Sequence, residues 1–140
     1  MDEPMTDQIE ARGERFTIGR AVREDLPALA TLLADDVLGR EREAPDLAPY
    51  LAAFGAIDAD PRHFLAAIRD GAGPIVGTFQ LSLVPGLSRG GATRLQIEAV
   101  RLAPSTHGKG LGSAMLAWAH DYGRRRGAIL AQLTTDRQRT

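Results

Sequence analysis

The chain has 140 residues, 44% hydrophobic and 25% charged, with a formal net charge of -1, the make-up of one globular domain able to bury roughly two-thirds of its unfolded surface. A charge this close to zero exerts no overall pull on nucleic acid or anionic membrane, so any anion site has to be local. The absence of cysteine removes disulfides, thiol nucleophiles and thiolate metal ligands, and fits a reducing, cytoplasmic setting.

The N-terminus MDEPMTDQIEARGER lacks the basic-then-apolar pattern of a signal peptide, and no stretch approaches the about 18 apolar residues of a membrane span. Residues 1–15 carry no apolar periodicity and read as a loose tail, with the folded domain over 16–140 and a first strand in FTIGRAV. In EDLPALATLLADDVLG, Leu26, Leu29, Ala30, Leu33 and Val37 form one helical stripe, with Glu24 and Asp25 at its positive end, Pro27 in the first turn and Gly39 as a stop. After the mixed-charge segment Arg40, Glu41, Arg42, Glu43, a second helix over 46–58 is predicted from Leu47, Tyr50, Leu51, Phe54 and Ile57. Period-two patterns in RHFLAAIR (62–69) and PIVGTFQLSLV (74–84), separated by DGAG, predict an antiparallel hairpin.

The next strand, RLQIEAVRL (94–102), has Leu95 and Ile97 on one parity but Val100 and Leu102 on the other. A one-residue slip normally turns every later side chain to the wrong face, so a β-bulge is expected near Glu98 and Ala99. A helix follows, striped by Leu111, Ala114, Met115, Trp118, Ala119 and Tyr122, with Arg124, Arg125 and Arg126 at its negative end and Gly127 as a left-handed stop. The apolar run AILAQLT then reads as a parallel strand covered on both faces. The expected order is β-α-α-β-β-β-α-β, a mixed α/β (α+β) sheet with helices on it.

Between the slipped strand and the striped helix lies THGKGLGS. Gly108, Gly110 and Gly112 let backbone N–H groups converge, the helix adds its unpaired first-turn donors, and Lys109 and Ser113 stand beside them, an arrangement suited to phosphate. A Walker A loop fails because Ala103 replaces its first Gly and Gly110 its Ser or Thr. A dinucleotide fingerprint fails because Ser113 stands at its last Gly. His63 and His120 have no ligand-like spacing, so no metal is expected. The RRR run reads as a helix end, without the aromatics of a nucleic-acid surface.

IEAVRLAPSTHGKGLGSAMLAWAHDYGRRRGAILAQLTTD strongly resembles the acyl-CoA-binding motif of the GCN5-related N-acetyltransferase (GNAT) family and the strand after it. The resemblance runs from about residue 16 onward and implies the GNAT-like acyl-CoA N-acyltransferase fold, with acetyl-CoA (coenzyme A) as cofactor. His107 stands where the family's loop has Gln or Arg; an imidazole still donates one hydrogen bond, so weaker or pH-sensitive pyrophosphate binding is expected. Carried over by position, the pantetheine arm would lie along Val100, Arg101 and Leu102. The pyrophosphate would meet His107, Gly108, Lys109, Gly110, Leu111, Gly112 and Ser113. The backbone of Val100 would polarise the thioester, and Glu98, acting through a water, is the candidate base, with a solvated or ion-paired carboxylate as the other reading. Gln96 either orients substrate or faces solvent.

The acceptor, a small-molecule or peptide amine, would lie against the first two helices and the 40–43 segment. The resemblance also implies a further helix, with a tyrosine that protonates the leaving thiolate, and a final strand. The sequence ends at RQRT before either, and Tyr122 falls on the buried stripe and does not replace that acid. The alternative function is a non-catalytic CoA-binding or regulatory module that associates, as a homodimer for instance, through an open sheet edge.

Overall fold

The computed structural model describes residues 6–34 and 46–134. Its frame is a six-stranded sheet in the order β1-β2-β3-β4-β5-β6, made of β1 (Thr6–Ala11), β2 (Glu14–Arg20), β3 (His63–Arg69), β4 (Ile75–Pro85), β5 (Thr93–Leu102) and β6 (Ala128–Leu133). Neighbouring strands are antiparallel from β1 through β5, and β6 is parallel to β5. The helices are α1 (Leu26–Ala34), α2 (Ala48–Asp58) and α3 (Leu111–Arg125), with one further helical turn over Ser88–Gly91.

The sheet separates two cores, one on each face. On one face Phe64, Ile68, Phe79, Leu81, Leu95 and Ile97 pack beneath Leu111, Met115, Trp118, Ala119 and Tyr122 of α3, with the Phe64 ring 5.5 Å from Trp118 and 5.1 Å from Tyr122. On the other face Ala21, Leu26, Leu29, Leu32 and Ala67 are buried, with Leu51 and Phe54 of α2 against them. Asp25, 7% exposed, ends the chain's entry into α1: one oxygen accepts from the Val22 N–H at 2.9 Å and the other meets Arg69 of β3 at 2.6 Å. This ties the helix start to the sheet through a desolvated, charge-assisted bond.

Two expectations are corrected. Residues 6–15 of the segment read as a tail form β1 and its turn into β2, so the order begins β-β-α. Only Ile9 and Ala11 face inward there, too few for a sequence signal, and the strand is held by its ladder with β2 and by the Trp118 indole donating to Asp7 at 2.7 Å. Among the described residues β6 is not doubly covered: it lies at the edge of the sheet, and after Ala128 every residue through Leu133 is exposed, Ile129 by 68% and Leu133 by 50%. The apolar run marks a parallel partner for β5 but does not say what covers its faces. Val37, Gly39 and the 40–43 segment lie outside the described residues.

Candidate functional site

The register slip in β5 is a bulge. Thr78 pairs with Arg101 and Gln80 with Glu98, so Ala99 and Val100 together oppose Phe79. Ala99 takes the left-handed conformation at φ 55, which restores Val100 and Leu102 to the α3 core. Glu98, paired with Gln80, keeps the polar parity on the face of α1 and α2. Its carboxylate is half-buried and accepts from Gln96 Nε2 at 2.6 Å, so Gln96 orients Glu98.

Beside this bulge is a cavity of about 180 Å³ between the sheet and the first two helices. Leu29 and Leu33 of α1 and Tyr50, Phe54 and Ile57 of α2 form its apolar wall, and Thr78, Gln80 and Ala99 its sheet side. Glu98 is thus fixed between the cavity's Gln80, its ladder partner, and the cavity's Ala99, its chain neighbour.

β5 runs out at Leu102 into a short turn, Pro104–Thr106, and three N–H groups here close on local carbonyls: Thr106 to Ala103, His107 to Pro104, Lys109 to Thr106. Gly108 at φ 79 and Gly110 at φ 78 then turn the chain through the left-handed region, where a Cβ is strained. The first loop-to-helix bond runs from Ala114 N–H to Gly110. Among the described residues no protein acceptor takes the N–H groups of Gly108, Gly110, Leu111, Gly112 and Ser113. Five donors at the positive end of a fifteen-residue helix are an arrangement chemically suited to a phosphate group.

The match to the acetyltransferase (GNAT) family model covers residues 26–140. The chain belongs to the GNAT acetyltransferase family. It is similar to the structure of a transcriptional regulator from Bacillus halodurans C-125, with a TM-score of 0.82 and 39% identity over 89% of this chain and 84% of that one. It is also similar to an acetyltransferase from Trypanosoma brucei, with a TM-score of 0.70 and 26% identity over 88% and 84% of the two chains. A predicted acetyltransferase from Clostridium acetobutylicum, solved with acetyl-CoA, shares the fold at a TM-score of 0.68 and 15% identity, over 88% and 82%. No curated protein matches the chain.

Family membership makes this an acetyltransferase that uses acetyl-CoA. The residues present fit that cofactor, because the unengaged N–H groups at the start of α3 suit its diphosphate and no carboxylate lies on the loop itself. No described helix is long and apolar enough to cross a membrane.

The bulge carries Glu98 and Val100, Arg101 and Leu102 follow on the same strand, and the loop and first turn of α3 carry His107 through Ser113, with three refinements. Gly112 sits inside α3 without a positive φ, so only Gly108 and Gly110 require glycine by conformation. Lys109 is engaged by Glu14 of β2 at 3.1 Å, so its charge is balanced rather than offered to the rim. The His107 ring is exposed. Tyr122 is buried, with the Arg126 guanidinium 3.7 Å over its ring, while Arg124 and Arg125 pair with Asp121. Sequence reasoning missed Gly123, where a Cβ would lie 3.0 Å from Leu95; that glycine lets α3 approach β5.

Proposed function

We propose that the protein transfers the acetyl group of acetyl-CoA to a primary amine by direct attack, and that the amine carries an apolar group. The observation that supports this most is the placement of Glu98 at the bulge, next to Gln80 and Ala99 of the apolar cavity, on the strand that leads to the N–H cradle. When bound, acetyl-CoA supplies an activated acyl group that an amine attacks without help from a protein nucleophile. Val100, Arg101 and Leu102 present main chain along which the pantetheine arm lies. The Val100 backbone is the candidate group for polarising the thioester carbonyl. His107, Gly108 and Gly110 through Ser113 hold the diphosphate, while Lys109 is paired with Glu14.

Glu98 removes the ammonium proton, directly or through a water, with its carboxylate held by Gln96. Leu29, Leu33 and Phe54 exclude water around the acceptor, which favours an amine on an apolar body, as a small molecule or a peptide end.

A second reading, a non-catalytic CoA-binding module that associates through the open edge, draws support from the exposed Ile129 and Leu133 of β6. Thiol release from acetyl-CoA over a panel of amines separates the two, and the protein's lack of cysteine leaves no background. Release stimulated by apolar amines supports the transferase. CoA binding without release on any amine favours the module, and preference for ATP or NAD over CoA overturns both.

A further inference from the structure

The β1–β2 turn is pressed against the glycine loop, and it brings two charged residues of different standing. Glu14 holds Lys109, its two oxygens 3.1 and 3.3 Å from the ammonium, so this pair fastens the turn to the loop and cancels the loop's own cation. Arg12 lies over the loop's second left-handed residue: a Cβ placed on Gly110 would sit 3.6 Å from Arg12 Nε and 3.7 Å from its Cγ. Gly110 contributes one of the five unengaged N–H groups, so the guanidinium stem borders the cradle.

Arg12 is exposed, and among the described residues it has neither a carboxylate partner nor a hydrogen-bond acceptor. It also occupies a left-handed position, φ 50, followed by Gly13 at φ 85. A two-residue hairpin turn of this shape is ordinarily met by Asn, Asp or Gly at its first position. An arginine there gives the hairpin nothing that those residues would not give more easily.

We infer that Arg12 is a binding residue for the diphosphate of CoA, reaching it from the β1–β2 turn. This rests on the CoA reading of the loop. The planar guanidinium forms paired N–H···O bonds to a phosphate and supplies the permanent positive charge that Lys109, held by Glu14, does not. The donors of the cradle then come from two elements, the start of α3 and the β1–β2 turn, and the Glu14–Lys109 pair fixes their spacing.

Calorimetric titration of the full chain with CoA, dephospho-CoA and pantetheine tests this. Arg12→Ala should raise the Kd for CoA and for dephospho-CoA alike, by about 10- to 100-fold, the range of a lost charge-assisted bond, and leave pantetheine unchanged. Arg12→Gly, which suits the turn, should show the same loss with an equal or higher Tm, and Arg12→Lys should recover part of it. An unchanged Kd for CoA overturns the inference. So does a penalty that vanishes with dephospho-CoA, which would move the contact to the 3′-phosphate, or one that extends to pantetheine, which would make the role structural. A wild-type protein that binds no CoA would instead overturn the reading of the loop itself.

Discussion

Alanine at Gly110 and at Gly112 should have opposite effects, although the two residues lie two positions apart in one glycine-rich run. Gly110 sits at φ 78, and an L-residue there is strained by about 1–2 kcal/mol. Its Cβ would meet only Arg12, at ordinary contact distance, so backbone strain is the whole of the effect. For a domain of this size that is a fall in Tm of roughly 3–8 °C.

Gly112 is helical, and its Cβ would lie 3.7 Å from Leu102 Cδ1, a normal packing contact that leaves the N–H face open. Replacing a helical glycine with alanine stabilises by about 0.5–1 kcal/mol, a rise of roughly 2–4 °C. Urea unfolding of the two variants measures both, and CoA titration should show weaker binding for Gly110→Ala and unchanged binding for Gly112→Ala. Equal signs in stability, or a Gly112→Ala variant that loses stability, would refute the assignment of strain to Gly110 alone.

Further outcomes follow from other parts of the fold. Asp25→Ala leaves the Val22 N–H and Arg69 without their acceptor and should cost about 1–3 kcal/mol, with the Arg69→Ala double mutant non-additive; additive losses would show the pair to be idle. Glu98→Gln keeps an oxygen for Gln96 to donate to, so CoA affinity should hold while kcat falls about 100-fold or more; equal losses in both would remove Glu98 as the base.

The Arg62 side chain holds the Asp60 carboxyl below its usual range, and that of Arg124 does the same for Asp121. A carboxyl whose folded pKa is depressed stabilises fully above its unfolded pKa and loses that contribution as pH falls through the folded one. Between about pH 4 and pH 2, an Asp60→Asn, Asp121→Asn protein should therefore lose less stability than the wild type, read from urea midpoints, and identical slopes would contradict it.

Much of the site was legible because its signals are local. The parity change between Ile97 and Val100 requires a bulge, and the structure has one at Ala99. The α3 stripe likewise gave the buried face of that helix, apart from Ala114 at its margin. What was not legible depends on neighbours far away in the chain. β1 is a strand because β2 offers it a ladder and Trp118 a donor, neither of which its own residues announce. In α1 the buried third position is Leu32, and Leu33 turns to the cavity, because the helix packs on two surfaces at once. The neutralisation of Lys109 by Glu14 joins residues 95 positions apart.

Residue-resolved amide hydrogen exchange tests most directly the proposal that the start of α3 cradles the diphosphate of CoA. Without ligand, the N–H groups of Gly108, Gly110, Leu111, Gly112 and Ser113 have no acceptor among the described residues and should exchange fast. Saturating CoA should slow all five, with little change at Lys109, whose N–H is already bonded to Thr106. Protein saturated with CoA in which these five amides exchange as fast as before would contradict the account.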